Sequence, residues 1–269
     1  MAKIALGRLH ASHSRAAALK FAIPIILVPE LFATTDHLAA LIGYLTTVGW
    51  EVYVPDMRGV LAGSGNPGFE LALELIGQVP AALGCDVIVA GHGIGGLLAL
   101  KLAERKGVRA AVAFAPLLPG FRTKLYMRAR NLPALWLRRT LRPPSGALAN
   151  ELFADVDQFR RPRLIGAMVP EAAVMALEVA RGKVRLTSEA ALAPRLIIAG
   201  ETDRFAPIAA MSALARSSGA HLVTFAGRGH WLVEGRALDH VVGEMQRFLV
   251  RELGKQLLLL YPGEDANLE

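Results

Sequence analysis

The stretch that decides the fold runs from Val87 to Gly96 and reads VIVAGHGIGG. Its first four residues are apolar, which is typical of a fully buried strand. Four glycines follow among the next six residues, and a helical pattern begins at Leu97. Glycine adopts backbone angles closed to other residues and lets two elements approach closely. The stretch therefore predicts a strand, a sharp turn and a helix.

Strand-like apolar runs alternate with helical patterns on both sides of this turn. Strands are predicted at 24–28, 51–55, 86–90, 108–115, 195–200 and 221–225, and helices at 36–48, 69–83, 97–106, 207–217 and 237–253. Pro80 is expected to kink or end the helix at 69–83. Residues 1–21 are expected to form one strand and a frayed segment, and residues 56–67 a glycine-rich loop. This alternation indicates an α/β fold, with a mostly parallel sheet covered by helices on both faces.

Residues 117–190 break the alternation, because they contain helical segments and no clear strand. We expect residues 1–116 and 191–269 to form the core domain and residues 117–190 to form a helical lid inserted into it. An insertion at this point would lie over the carboxyl ends of the strands, where ligands bind in open α/β sheets.

The strand–turn–helix resembles the nucleophile elbow of the α/β-hydrolases, whose pattern is G-x-S-x-G. Three other segments are similar to the same family, in the family's order: PDMRG at 55–59, GETDRFAP at 200–207 and GHW at 229–231. The resemblance spans about residues 20–253 and implies an α/β-hydrolase fold with a helical lid. A phosphate cradle is the alternative interpretation of the turn, but its spacing is not that of a dinucleotide-binding loop.

The resemblance also implies roles for individual residues. Asp203 corresponds to the acid that orients the histidine, and His230 to the general base. The N–H of Ile94 corresponds to one oxyanion donor, and the loop around Leu31 would supply the second. Taken singly, Asp203 is better explained as a turn or capping residue and His230 as a surface histidine. Their joint placement favours the catalytic interpretation.

Two positions depart from the family pattern. Gly93 stands at the serine position, and glycine offers no nucleophile for an acyl-enzyme. Glu30 lies where families of this fold usually carry His-Gly, and a carboxylate there would oppose a developing oxyanion. An ion pair with Arg58 is the alternative role for Glu30. His92, next to the elbow position, is expected to point away from the pocket.

Three functions are consistent with these residues. In the first, His230 and Asp203 activate a water or abstract a substrate proton without a covalent intermediate, and Gly93 leaves room for the water or substrate. The second is a non-catalytic protein that binds a ligand in the retained pocket. The third is a serine-to-glycine variant of an ordinary esterase. The retained Asp203–His230 pair favours a hydrolase-type enzyme acting on a small apolar or anionic carbonyl compound, and Glu30 speaks against the third function.

The composition excludes several classes of protein. The chain has 269 residues, 53% of them hydrophobic, but no apolar run reaches the ~18 residues of a membrane span. Its histidines show no metal-ligand spacing, so neither a metal nor an organic cofactor is expected. One cysteine and no secretory signal suit a cytoplasmic location.

The net charge of +7 is concentrated between Arg122 and Arg163. A solvated helical face is the plain interpretation. The alternatives are a positive rim that attracts an anionic or carrier-bound small-molecule substrate and an amphipathic surface that rests on anionic lipid. Nucleic acid is not expected as a partner, because aromatic residues for base stacking are few.

The missing hydroxyl at Gly93 predicts that no acyl-enzyme forms. A fluorophosphonate probe should leave the chain unlabelled, and ester assays should show no burst of product. Intact-mass spectrometry measures the labelling. A phosphonylated side chain mapped to the pocket would reveal a serine-like nucleophile elsewhere and contradict this prediction.

Overall fold

The computed structural model describes residues 1–62, 68–123, 131–137 and 139–258. Eight strands form one sheet in the order β1-β2-β4-β3-β5-β6-β9-β10, and β1/β2 and β2/β4 are its antiparallel pairs. Their bounds are β1 Ala2–Leu6, β2 Leu9–Ser14, β3 Ile25–Val28, β4 Val52–Asp56, β5 Val87–His92, β6 Val108–Phe114, β9 Arg195–Gly200 and β10 His221–Phe225. The predicted α/β fold with a mostly parallel sheet is confirmed.

The first two strands form a hairpin, where the sequence predicted one strand and a frayed segment. Gly7 makes the turn with a φ of 60°. On β2, the side chains of Leu9, Ala11 and His13 are buried and their neighbours are more exposed. This alternation is typical of a strand with one face on the core, and it extends the parallel sheet by an antiparallel edge.

Helices cover the sheet. They are α1 Ala39–Val48, α2 Arg58–Ala62, α3 Phe69–Gly77, α4 Val79–Leu83, α5 Ile94–Leu102, α10 Ile208–Ser218 and α11 Leu238–Leu253. The helix predicted over 69–83 is interrupted, as expected from Pro80, but the interruption lies at Gln78 and the second helix has Pro80 in its first turn, where a proline costs no hydrogen bond. The loop predicted at 56–67 begins with the short helix α2.

Residues 117–190 lie between β6 and β9. Their described part contains α6 Leu132–Trp136, α7 Ala147–Leu152, α8 Arg161–Ala167 and α9 Ala173–Ala180, with a two-stranded ribbon of β7 Thr140–Leu141 and β8 Glu171–Ala172. The ribbon was not predicted. The role of this segment as a lid stays a prediction.

Two arginines of the basic stretch have structural partners. Arg160 pairs with the buried carboxylate of Glu234 at 2.5 Å, and Arg161 donates to the carbonyls of Ala154 and Val156. Lys124, Arg128, Arg130 and Arg138 lie outside the described residues. In the part of the chain that is described, no helix has the length and apolar character needed to span a bilayer.

The backbones of α5 and the sheet approach each other closely where the helix crosses the strands. A Cβ added to Gly95 would lie 2.2 Å from the carbonyl oxygen of Val28, and one added to Gly91 would lie 2.4 Å from the backbone of Gly95. Both distances are far inside van der Waals contact. Glycine at these positions therefore lets α5 pack close to β3 and β5 and fixes the start of the helix at the edge of the sheet.

This close approach predicts opposite effects for two glycine substitutions. Gly95→Ala should lower the free energy of unfolding by about 1–3 kcal/mol or more, because Val28 must move. Gly43→Ala, on an exposed face of α1 with no atom within 4 Å, should raise it by up to about 1 kcal/mol through helix propensity. Urea unfolding measures both. An equal effect of the two substitutions would contradict the packing described.

Candidate active site

The candidate site lies at the carboxyl edge of the sheet. β3 pairs in parallel with β5, with Val28 opposite Gly91, so the loops that carry Glu30 and Gly93 meet there. Asp203 follows β9 and His230 follows β10. Parallel strands end at one edge, which is why residues about 200 positions apart converge.

Glu30 is the most constrained side chain at this edge. It is 2% exposed. Its Oε1 accepts hydrogen bonds from the N–H of Leu31 at 2.6 Å and of Ile94 at 3.2 Å, and its Oε2 lies 3.3 Å from His230 Nε2. Leu31 and Ile94 are the two donors that the sequence assigned to an oxyanion site. Both therefore hold a carboxylate of the protein itself.

Gly93 sits at the turn between β5 and α5, with φ 52° and ψ −112°. A Cβ built on it would lie 1.2 Å from Glu30 Oε2, so the carboxylate occupies the space in which an elbow side chain would begin. The expectation that Gly93 leaves room for water or substrate is wrong. The alternative pairing of Glu30 with Arg58 is also wrong, because Arg58 binds Glu171 and the carbonyl of Ala33.

Asp203 and His230 lie together as the sequence predicted. Asp203 Oδ2 accepts a hydrogen bond from His230 Nδ1 at 2.7 Å. The other carboxylate oxygen accepts from the N–H groups of Phe205 at 2.7 Å and Ala206 at 3.0 Å. These bonds fix the Asp203 carboxylate, which in turn fixes the imidazole ring. His230 Nε2 is thereby directed at Glu30.

The electrostatics of the site favour an ion pair. Burial would raise the pKa of Glu30, but the hydrogen bond and positive charge of His230, together with the contribution of His92, outweigh it and lower the pKa to about 2. Burial would lower the pKa of His230, but the charges and hydrogen bonds of Asp203 and Glu30 raise it to about 10. At neutral pH the resting site therefore holds an ionised Glu30 and a protonated His230.

His92 is completely buried beside this pair. Its Nε2 donates to the carbonyl oxygen of His230 at 3.0 Å, and its ring centre lies 4.4 Å from that of Trp231. Its Nδ1 lies 3.5 Å from Glu30 Oε2. The ring of His92 therefore lies in the core next to the Glu30–His230 pair, and it is not among the residues that line the two cavities described below. Glu30 Oε2, His92 Nδ1 and His230 Nε2 all lie within 4.8 Å of one another.

A cavity of about 20 Å³ borders Glu30, room for about one water molecule. Its walls are mainly apolar and include Met57, Leu61, Ile94 and Met175. Two charged side chains, Arg58 and Glu171, also line it. A larger cavity of about 350 Å³ borders the loop of His230. Met175 and Glu171 belong to the 117–190 segment, and sequence reasoning missed them because neither stands in a recognisable pattern.

A sequence model of the Alpha/beta hydrolase family matches residues 25–241. The chain belongs to the α/β-hydrolase family. No curated protein matches its sequence.

Solved structures resemble this α/β-hydrolase over nearly its whole length. A monoacylglycerol lipase of Paleococcus ferrophilus is 17% identical, with a TM-score of 0.70, and the match covers 91% of this chain and 99% of the lipase. An esterase of Thermogutta terrifontis is 18% identical, with a TM-score of 0.68 and coverage of 93% and 98%. A monoglyceride lipase of Saccharomyces cerevisiae is 14% identical, with a TM-score of 0.67 and coverage of 93% and 94%. These likenesses support the fold.

The contact between Glu30 and Gly93 predicts coupled substitutions. Gly93→Ser should destabilise the protein, because its Cβ and the Glu30 carboxylate require the same space. Glu30→Gly in the same chain should recover at least about 1 kcal/mol of that loss. Urea unfolding of the two single variants and the double variant measures the coupling. Additive losses would contradict the contact.

The same pair of substitutions should also differ in chemistry. The double variant frees the N–H groups of Leu31 and Ile94 and places a hydroxyl near His230. It should hydrolyse a small activated ester, whereas the single variant Gly93→Ser should remain inert. Release of a chromogenic alcohol measures both. Esterase activity in the single variant would show that Glu30 leaves the site easily.

Proposed function

We propose that this protein is a hydrolase in which Glu30 takes the place of the serine nucleophile. One observation carries the proposal. Glu30 Oε1 occupies both backbone donors of the oxyanion site, while Oε2 lies at the elbow position, 3.3 Å from His230 Nε2. This is the placement of a carboxylate that attacks with one oxygen while the protein holds the other.

The first step would use the charges of the resting pair. Glu30 Oε2 attacks an electrophilic carbon of the substrate and forms a new C–O bond. The bond from that carbon to its leaving oxygen breaks, and the electron pair goes to the oxygen. His230 Nε2 donates its proton to this oxygen. The step yields an ester on Glu30 and a neutral His230.

The second step would return the enzyme to its resting state. Neutral His230 takes a proton from a water whose oxygen attacks Cδ of the Glu30 ester. The negative charge that develops on Oε1 lies between the N–H groups of Leu31 and Ile94, which are already aligned with it. Collapse of the intermediate breaks the bond between Cδ and Oε2, and Oε2 leaves with the substrate carbon and takes the proton from His230. The proton of the new carboxylic acid then passes to His230 and restores the ion pair.

The proposal keeps His230 as the acid–base group and Asp203 as the residue that orients it. It replaces the non-covalent route, because Glu30 already holds the N–H of Ile94 that this route needs for the substrate oxyanion. A leaving alkoxide that requires a proton fits a small strained cyclic ether, and its entry requires the cavity beside Glu30 to widen beyond the volume of one water molecule. An anionic group on the substrate stays a prediction from the basic stretch.

A non-catalytic ligand-binding function is the second candidate. The observation that favours it is the size of the cavity beside Glu30, about 20 Å³. Met175 and Glu171 are among the residues that line this cavity, and a substrate larger than a water molecule would reach Glu30 only if its walls moved. In that case the Glu30–His230 pair would fill the former oxyanion site as a permanent structural element.

Solvent-oxygen labelling tests the proposal. With a panel of small epoxides in H₂¹⁸O, a single turnover should place one ¹⁸O in the Glu30 side chain, because water attacks Cδ. His230→Gln should form no ester on Glu30 and take up no ¹⁸O, because the leaving oxygen then has no proton donor. Tandem mass spectrometry measures both.

Removing the negative charge of Glu30 gives a second prediction from the same mechanism. Glu30→Gln should lower turnover by about 10³-fold or more, in the range for loss of a nucleophile. Glu51→Gln is the matched control, since Glu51 also pairs with a histidine, His13, at 3.0 Å but far from the site. Turnover that labels the product and never Glu30 would support the non-covalent route, and saturable binding without turnover would support the binding protein.

A further inference from the structure

We propose that Glu30, His92 and His230 form a binding site for a divalent transition metal, with Zn²⁺ as the best-matched ion. The inference uses the same buried atoms as the proposed hydrolase but does not depend on catalysis. It addresses a feature that the hydrolase mechanism leaves unused, the second imidazole at the site.

The ring of His92 presents an acceptor to the site. Its Nε2 donates to the carbonyl of His230 at 3.0 Å, so the neutral ring carries its hydrogen there and has a lone pair on Nδ1. Nδ1 is completely buried and has no hydrogen-bond partner among the described residues. The atom it faces, Glu30 Oε2 at 3.5 Å, is also an acceptor. Two buried acceptors facing each other are stabilised by a positive charge placed between them.

The donor atoms have the spacing of metal ligands. Zn²⁺ binds nitrogen and oxygen at about 2.0–2.1 Å, which puts neighbouring ligand atoms of a tetrahedron about 3.3–3.4 Å apart. Glu30 Oε2 lies 3.3 Å from His230 Nε2 and 3.5 Å from His92 Nδ1. All three atoms lie within 4.8 Å of one another. The two imidazole nitrogens would therefore have to move only a short distance toward each other to bind one ion. One coordination position remains for water.

Each proposed ligand also has a hydrogen-bond partner on the side away from the metal position. Asp203 accepts from His230 Nδ1, the carbonyl of His230 accepts from His92 Nε2, and two backbone N–H groups hold Glu30 Oε1. Such outer partners fix the tautomer and orientation of ligating side chains and raise metal affinity. The fold therefore supplies both the ligands and their supports in place.

The ligand types select the class of ion. Two imidazole nitrogens and one carboxylate oxygen suit Zn²⁺ and its neighbours, whereas Mg²⁺ and Ca²⁺ prefer sites made of oxygen. Metal binding would displace the proton that His230 carries and engage Glu30 Oε2. Since Oε2 cannot bond to a metal and to a substrate carbon together, the metal-bound form would be inactive in the covalent hydrolysis proposed above.

Calorimetric titration tests the site directly. The full chain, treated with a chelator and dialysed, should bind one equivalent of Zn²⁺ and show no saturable binding of Mg²⁺. Co²⁺ should give the visible absorption bands of a four-coordinate nitrogen–oxygen site. His92→Ala and the bulkier His92→Gln should each weaken Zn²⁺ binding by at least about 100-fold, above the usual effect of losing an outer partner.

His37→Gln is the matched control, because His37 is equally buried but both its ring nitrogens have partners. It should bind Zn²⁺ like the unmodified chain. Circular dichroism identifies the folded variants. No saturable Zn²⁺ binding by the folded, unmodified chain would overturn the proposal, as would affinity unchanged in both His92 variants. Neither result bears on ¹⁸O transfer to Glu30, so the two proposals can fail separately.

Discussion

The site is organised by one buried carboxylate held by two backbone N–H groups. Removing a carboxylate from water costs several kcal/mol, and only good hydrogen bonds and an opposite charge offset that cost. Glu30 has all of these in Leu31, Ile94 and His230. The two loops at the carboxyl edge of the sheet are therefore tied to each other through a charged side chain, where many relatives of this fold are expected to hold an open oxyanion site.

A positive charge next to Glu30 Oε2 is the second requirement of this arrangement. A proton on His230 meets it in the resting protein, and the geometry accommodates a divalent cation as well. Asp203 supports both states, because its carboxylate stabilises a charged imidazole and equally fixes the tautomer of a neutral one. The two proposals, catalysis and metal binding, thus differ in what supplies this charge.

The sequence predicted the parts of the fold that follow from local pattern. The apolar run before Gly91 and the glycines after it identified the elbow, and the order of motifs placed Asp203 and His230 together. The sequence did not predict the directions in which the side chains of Glu30 and His92 point. These directions depend on two features. The pairing of β3 with β5 brings Glu30 and Gly93 together although they are 63 positions apart, and the missing side chain of Gly93 leaves space for the carboxylate. The N-terminal hairpin was missed because its one-sided burial comes from pairing with β4, a contact that no local pattern encodes.

The overlap between Glu30 and the elbow position constrains how such a site can arise from a family whose elbow carries serine. If glutamate came first, its carboxylate would collide with the serine side chain, and the fold would suffer at once. If glycine came first, it would leave only a small void, which a buried site tolerates. The overlap therefore favours one order of substitution, with glycine at position 93 before glutamate at position 30.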